Sequence, residues 1–421
     1  MKKTIFGIFS IAIAVSTLQF AQAGLFDQCT PCAKIADCNP CDNADYCAPQ
    51  SGQWFLNGHI EAGFFANGHG QKSRYTGGAT ERGRGADDNS GNTCLLENTR
   101  LTGGQINQVY LSMGRSVNGK RGWDIGGTVD VTWGSDAYIT QARGMEYGAG
   151  HGSAADEGRW GKGDYYAAFA QAYAELAYKR WNIKAGKFYA LFGSADYKST
   201  DRFFYSLDQG CAFMPHVASG AYVTYMVNDQ LSVSSGWVVP GEFGESSKYN
   251  AVFGGLDWEP TERLNLRYAF AAGRNTYDND YGGSYNVFIH SLGATYQIGR
   301  KWEYGLEWSL LNLNVDAVGE KKYNAAYALN NEIIYQYNKN WALGVRFGIL
   351  DNNAGDAVND LDLPTGEWYM VSLGANWTPN KWLLVKPEVR YDWIKDAAAR
   401  PFNLERSSYQ ISGGMSAVVK F

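Results

Sequence analysis

From Gln53 onward the chain repeats one pattern: a run in which apolar residues alternate with small or polar ones, then a turn or loop, then another run. Trp302, Tyr304, Leu306, Trp308 and Leu310 alternate with Glu303, Gly305, Glu307 and Ser309. Leu264, Leu266, Tyr268 and Phe270 alternate with Asn265, Arg267 and Ala269, and Trp341, Leu343, Val345, Phe347 and Ile349 with Ala342, Gly344, Arg346 and Gly348. Trp123, Ile125, Val129, Val131 and Trp133 stand against Asp124, Thr128, Asp130 and Thr132. Period two is the mark of a strand with one apolar and one wet face, whereas a helix would spread these charges around its circumference. The pattern predicts strands over 53–66, 103–114, 122–134, 165–179, 182–190, 218–228, 230–239, 248–258, 261–272, 285–298, 301–312, 325–338, 341–350, 367–378, 381–393 and 408–421. That is a count of 16, with 14 to 18 left open by weak runs such as 182–190.

The connections alternate. Tight ones fall at Arg115–Arg121, Arg180–Trp181, Asp229, Glu259–Pro260, Gly299–Arg300, Lys339–Asn340 and Pro379–Asn380. Longer ones fall near 67–102, 135–164, 191–217, 240–247, 273–284, 313–324, 351–366 and 394–407. Short periplasmic turns and long extracellular loops are the habit of outer-membrane barrels. Trp181, Trp258, Trp302, Trp341, Trp377 and Trp382 flank the tight turns, where an amphipathic ring suits the headgroup level. Closure follows from elementary cost: a sheet edge in hydrocarbon leaves polar backbone groups unpaired at several kcal/mol each. The predicted fold is all-β, a transmembrane antiparallel β-barrel of about 16 strands over 53–421.

Composition agrees. Glycine is high at 50, aromatics reach 15%, and mean hydropathy is only −0.35. After residue 20 no apolar run approaches the ~20 residues of a membrane helix, while a barrel spans lipid with half its side chains wet. The net charge of −5, with no basic stripe, gives nucleic-acid binding no support.

Residues 1–23 have the form of an export signal: Lys2 and Lys3, an apolar run from Ile5 to Val15, and a small-x-small triplet at Ala21-Gln22-Ala23, which makes Gly24 the expected mature start. Residues 24–52 then form a cysteine-rich periplasmic segment with Cys29, Cys32, Cys38, Cys41 and Cys47. Two CxxC pairs could ligate zinc or an iron-sulfur cluster, or exchange disulfides. An oxidising compartment favours structural disulfides. We therefore expect no metal or other cofactor. Cys94 and Cys211 are candidates for a bridge between two loops, and the odd thiol of the segment for a crosslink to another envelope protein.

A barrel of about 16 strands is too wide for side chains to fill. Its expected inward face carries Glu61, Asp124, Asp130, Glu175, Arg267, Glu303, Glu307, Glu332, Arg346, Lys386, Glu388, Arg390 and Asp392, nine acids and four bases. Such charges need a wet lumen or partners, and Lys386, Glu388, Arg390 and Asp392 read as a braced ladder along one strand. The acidic excess points to a mild cation preference. The loop near 191–217, with Phe203, Phe204, Tyr205 and Phe213 beside Asp196, Lys198, Asp201, Arg202 and Asp208, is the candidate constriction.

Two stretches carry a family resemblance: Ile183–Gly193 (IKAGKFYALFG) followed by Asp201–Ser206 (DRFFYS), and Leu383–Trp393 (LLVKPEVRYDW) with Pro401-Phe402 after it. They resemble the OmpL-like β-barrel porin family (beta-barrel porin-2) over nearly all of 53–421. Where that family has Asn-Pro before Phe-Tyr-Ser, this chain has Asp201-Arg202-Phe203, a departure that bears on the geometry of that loop. The resemblance implies an outer-membrane porin of a double-membraned bacterium, passing ions and small hydrophilic solutes, with no defined solute. Outer-membrane lipid and the barrel assembly machinery, which reads a terminal aromatic such as Phe421, are the expected partners. A homo-oligomer, trimeric by analogy, is a further one. His59, His69, His151, His216 and His290 accompany no serine motif, so an enzyme is not expected. The competing reading is a structural envelope protein crosslinked through its cysteine arm.

Overall fold

The computed structural model describes residues 52–69, 102–142, 144–147, 160–162, 165–192, 197–240, 249–275, 284–317, 320–353, 365–395, 400–403 and 406–421. Its strands are β1 (Trp54–Asn67), β2 (Gly103–Arg115), β3 (Trp123–Gly134), β4 (Gly161–Lys162), β5 (Tyr165–Tyr178), β6 (Trp181–Tyr189), β7 (Val217–Met226), β8 (Leu231–Pro240), β9 (Tyr249–Thr261), β10 (Leu264–Asn275), β11 (Ser284–Ile298), β12 (Trp302–Ala317), β13 (Glu320–Asn338), β14 (Trp341–Asn352), β15 (Gly366–Asn380), β16 (Leu383–Ile394) and β17 (Tyr409–Lys420). β4 is a two-residue spur on β5. The other sixteen form a closed antiparallel ring, each strand bonded to its neighbours in the chain and β1 to β17 from His59↔Lys420 to Asn67↔Ser412. Phe421 adds a last rung, with its backbone N–H and carbonyl each bonded to Gly58 at 2.9 Å. Among the described residues no helix is long and apolar enough to cross a membrane.

The wall is inside-out relative to a soluble protein. On β14, Trp341, Leu343, Val345 and Phe347 are exposed on the outer surface, while Ala342, Gly344, Arg346 and Gly348 are buried inward. At the end that carries the hairpin turns 179–180, 262–263 and 339–340, Trp54, Trp123, Trp181, Trp258, Trp302, Trp341, Trp377 and Trp382 are all exposed. Several pair across strands: Trp123 with Tyr178 at 4.4 Å between ring centroids, Trp181 with Tyr225 at 4.5 Å, Trp302 with Tyr335 at 4.5 Å. Each such pair adds about 0.5–1.5 kcal/mol beyond its buried area and holds the register at the turn.

Three expectations need correction. β12 runs to Ala317 and β13 starts at Glu320, so most of the loop expected at 313–324 is ladder, paired through Val315↔Lys322 and Asp316↔Lys321. The alternation simply continues past the point where the residues become polar. The turn expected at Glu259–Pro260 lies instead at 262–263. The β9–β10 ladder skips those two residues as an irregularity, which accommodates a proline without an N–H.

The third correction concerns the faces. Toward the end opposite the hairpin turns, the inner wall becomes apolar, with Phe253, Ala271, Ile289, Leu311, Ala328 and Leu350 buried in one cluster. On the outer surface about three residues further along stand Asn250, Arg274 and Asn286, paired in register. The period is kept but the sign of the faces inverts, as it must where strands rise out of hydrocarbon into water. The lower outer surface should then behave as lipid-facing. Val345→Arg is expected to destabilise the barrel in lipid vesicles by roughly 2–4 kcal/mol in urea unfolding, with Val345→Leu near neutral.

Candidate functional site

The segment between β6 and β7 leaves the wall and crosses the lumen. In the ring, β6 and β14 stand eight places apart of sixteen, which makes them opposite walls. Yet Arg346 of β14 donates from Nη2 to the Ser206 carbonyl at 3.0 Å. Beside it, Arg390 of β16 donates from Nη1 to the Leu207 carbonyl at 2.6 Å, and Lys386 from Nζ to the Ser199 carbonyl at 2.7 Å. Glu388 accepts from both the backbone N–H and the hydroxyl of Ser206, each at 2.7 Å. A chain crossing a barrel has no ladder to satisfy its backbone; here the wall's charged side chains do so.

Arg202 is the central fastener. Its Nη2 lies 3.1 Å from Glu61 Oε2 on β1 and 3.4 Å from Asp136 Oδ2 on the loop after β3. Glu61 also meets Lys386 at 3.5 Å and the Ser416 hydroxyl at 2.7 Å. Asp136 accepts from Asn107 Nδ2 at 3.1 Å and Gln108 Nε2 at 3.0 Å. Deep charges of this kind cost several kcal/mol each when unpaired, so each holds the others in place. Burial pushes the Asp136 carboxyl up to about 6, with the Glu61 carboxylate adding to the rise and Arg202 opposing it.

The aromatic triplet is seated by glycine. A β-carbon on Gly344 would overlap the Phe203 ring, and one on Gly63 the Tyr205 hydroxyl. Phe204 lies under the Arg346 guanidinium, 4.4 Å from ring centroid to Cζ. Tyr205 is fully buried, edge-on to Phe65, with its hydroxyl donating to Asn107 Oδ1 at 2.9 Å. Of the other loop candidates, Lys198 is half-buried with its ammonium 5.5 Å over the Tyr110 ring, Asp201 is exposed, and Asp208 is buried beside Cys211. Asp196 lies outside the described residues.

Twelve of the thirteen wall charges divide into two groups, Asp124 standing apart at a turn. Glu61, Asp130, Glu175, Arg346, Lys386, Glu388, Arg390 and Asp392 are buried. The expected ladder along β16 is realised only at Arg390–Asp392, 2.8 Å apart; Lys386 and Glu388 pair across strands and to the loop, because the loop brings partners closer than the next rung. Asp130 gathers Tyr110, Ser112 and Gln171, and Glu175 accepts from Asn182 at 2.7 Å. Asp124 braces the turn after β2 through Arg115 at 2.7 Å. Only Arg267, Glu303, Glu307 and Glu332 keep half-exposed side chains on the β10–β13 wall, joined by Asp257, which pairs with Arg267 at 3.0 Å.

Asn107, Gln108, Asp136 and Ser199 were not singled out by sequence, and Ser206 only as the end of the DRFFYS stretch; nothing but long-range register brings them to Glu61 and Glu388. Gly63 and Gly344 carried a faint signal as bare inward positions in otherwise bulky strands. Cys211 is buried, its Sγ 3.5 Å from Asp208 Oδ1. Cys29, Cys32, Cys38, Cys41, Cys47 and Cys94 lie outside the described residues, among which no disulfide is present.

A family model described as beta-barrel porin-2, OmpL-like, matches residues 56–421. No curated protein matches the chain in sequence. Among solved structures, the anion-selective porin from Comamonas acidovorans is similar with a TM-score of 0.56 at 11% identity, over 88% of this chain and 100% of that one. The outer membrane channel DcaP of Acinetobacter baumannii gives 0.54 at 10% identity, over 88% and 98%. OmpT of Vibrio cholerae, solved in a trimer form, gives 0.53 at 13% identity, over 88% and 100%. At these identities the likeness is one of fold.

Two outcomes follow from the docked loop. Arg202→Ala strands Glu61 and Asp136, and is expected to cost about 3–5 kcal/mol of stability and to raise single-channel conductance as the loop detaches; Arg202→Lys should recover part of both. The second concerns pH. Asp136 holds its proton more tightly in the docked state than a free carboxyl, which titrates near ~3.9. The folded barrel should therefore gain stability as pH falls through the window from about 6 to about 4, the gain being complete below it. Hydrogen exchange across 201–207, corrected for intrinsic rates, is expected to slow through that window.

Proposed function

The chain belongs to the beta-barrel porin-2, OmpL-like family, and from that membership we propose that it is a general diffusion channel whose path follows the wet part of the β9–β13 wall, on the hairpin-turn side of the apolar cluster. The family and fold place it in the outer membrane of a double-membraned bacterium, with a transport rather than a catalytic role. The single observation that supports the path is the division of the lumen charges. On the β14–β2 side they are buried against the loop, whereas Asp257, Arg267, Glu303, Glu307 and Glu332 keep access to solvent. Hydrated ions pass where charged groups stay wet.

The balance of that wall favours cations. Asp257 and Arg267 pair at 3.0 Å and Glu332 lies 3.8 Å from Arg346, and on the wet wall the acids Asp257, Glu303, Glu307 and Glu332 outnumber the base Arg267. We assign the tryptophan-bordered hairpin end to the periplasm and the opposite end, with its longer loops, to the outside. In this reading residues 1–23 direct export, 24–52 form a periplasmic arm, and copies associate in the membrane as in the trimer form of OmpT.

Planar-bilayer recording tests the proposal. Steady ohmic conductance is expected, with a reversal potential in a salt gradient that favours potassium over chloride. Glu303→Gln with Glu307→Gln should shift that potential toward zero while leaving conductance in concentrated salt nearly unchanged, since salt screens the fixed charge. A protein inserted in the bilayer that passes no current would overturn the channel.

A further inference from the structure

A polar side chain of the outer wall stands in the middle of the hydrocarbon band. Asn331 of β13 shares its face with Tyr327 and Ile333, both exposed, and with Tyr335, which packs on Trp302 of the tryptophan belt. Tyr327 lies four residues to one side of it and Tyr335 four to the other. At the rise of a β-strand each is ~13 Å away along the chain. At Tyr327 the outer surface is already turning polar, since its register partner there is Asp351. The register neighbours of Asn331 itself are apolar: Leu306 and then Ala294 in one direction, Phe347 and then Val371 in the other.

The amide is half satisfied. Its Oδ1 accepts from the Tyr304 hydroxyl of β12 at 2.7 Å. The amide nitrogen has two N–H groups to give, and no acceptor for them stands among the described residues. Asn331 is half-buried at the outer surface, so whatever reaches that nitrogen comes from outside the barrel. Hydrocarbon has no acceptor to offer, and a donor left unpaired there is costly. A second polar group continues the face toward the rim. His290 of β11 is enclosed by the rings of Phe288 and Trp308, 4.9 and 4.7 Å away between centroids, and the Tyr268 hydroxyl stands 3.5 Å from its Nδ1. Polar side chains placed inside a membrane are expensive and mark an interaction.

We propose that a second copy of this chain docks on the outer face of β11–β13, about a symmetry axis beside Asn331, with the Asn331 amides of the copies hydrogen-bonded to one another. An amide both donates and accepts, and its oxygen has a second lone pair besides the one Tyr304 uses. The same residue repeated around a two-fold or three-fold axis therefore completes itself, each nitrogen donating to the oxygen of the next copy. Lipid cannot do this at mid-band, since its polar groups end at the headgroups. The Tyr304 bond orients the amide before the copies meet, which lowers the ordering cost of association. Leu306, Trp308 and Leu329 supply the apolar contact around it. The proposal rests on the reading that copies associate in the membrane, and it names the surface by which they do.

The test is sedimentation of the full-length protein in detergent micelles over a range of protein-to-detergent ratios, with planar-bilayer conductance as the check that each barrel is folded. The wild type is expected to associate. Asn331→Leu, which suits a wall facing lipid, should move the midpoint of association about tenfold toward higher protein-to-detergent ratio, the effect of a hydrogen bond between membrane segments. Asn331→Gln, whose amide also donates and accepts, should recover part of that shift. Leu306→Trp keeps the amide but sets bulk beside it, and should weaken association at least as much as Asn331→Leu. An oligomer whose midpoint is the same in Asn331→Leu and Leu306→Trp as in the wild type means that lipid covers this face; it overturns the surface and leaves association standing. A wild type that stays monomeric at every ratio while its barrels conduct overturns the association reading, and the surface with it.

Discussion

The constraint on which everything else depends is that the polar backbone of a chain in hydrocarbon must be fully paired. An open sheet fails at its two edges, so the ladder between β1 and β17 is the one that makes the other ladders possible. Phe421 lengthens that ladder by a rung against Gly58. Once the ring of sixteen is closed, its width is fixed, and with it the need for something other than side chains to occupy the middle.

What occupies it obeys the same rule by other means. The segment from Ser199 to Gln209 crosses from β6 to the opposite wall with no strand to pair against. Its carbonyls and N–H groups are taken up by Lys386, Glu388, Arg390 and Arg346, and its own Arg202 neutralises Glu61 and Asp136. The wall charges thus perform two different tasks. Half of the lumen uses them as fasteners, where they are dry and mutually compensated; the other half leaves them wet. Under the proposed diffusion path, selectivity would depend on which charges the loop has covered, rather than on the sum over the inward face.

The strands themselves were legible because period two survives any local detail. All sixteen long runs of alternation correspond to strands, and Trp302 to Leu310 or Trp341 to Ile349 declare their outer face without help. Boundaries were less legible. Asn314 looks like loop because it is polar, but at that height the outer surface faces water, so polarity there does not end a strand. Pro260 looks like a turn because it lacks an N–H, but a bulge absorbs it.

The sequence by itself determined the barrel: the periodicity, the inverted polarity of the lower wall, the tryptophan belt and the membrane that these require, since each is set by residues a few positions apart. Only the tertiary structure decided which inward charges meet water. Glu388 and Glu332 look alike in their strands, each an inward carboxylate with a polar residue two positions before it on its own face, Lys386 and Asn330. One is sealed beneath Ser206 and the other half-open, because a loop more than a hundred residues upstream of both lies over one and beside the other. That difference is a matter of distance in space, and no spacing along the chain encodes it.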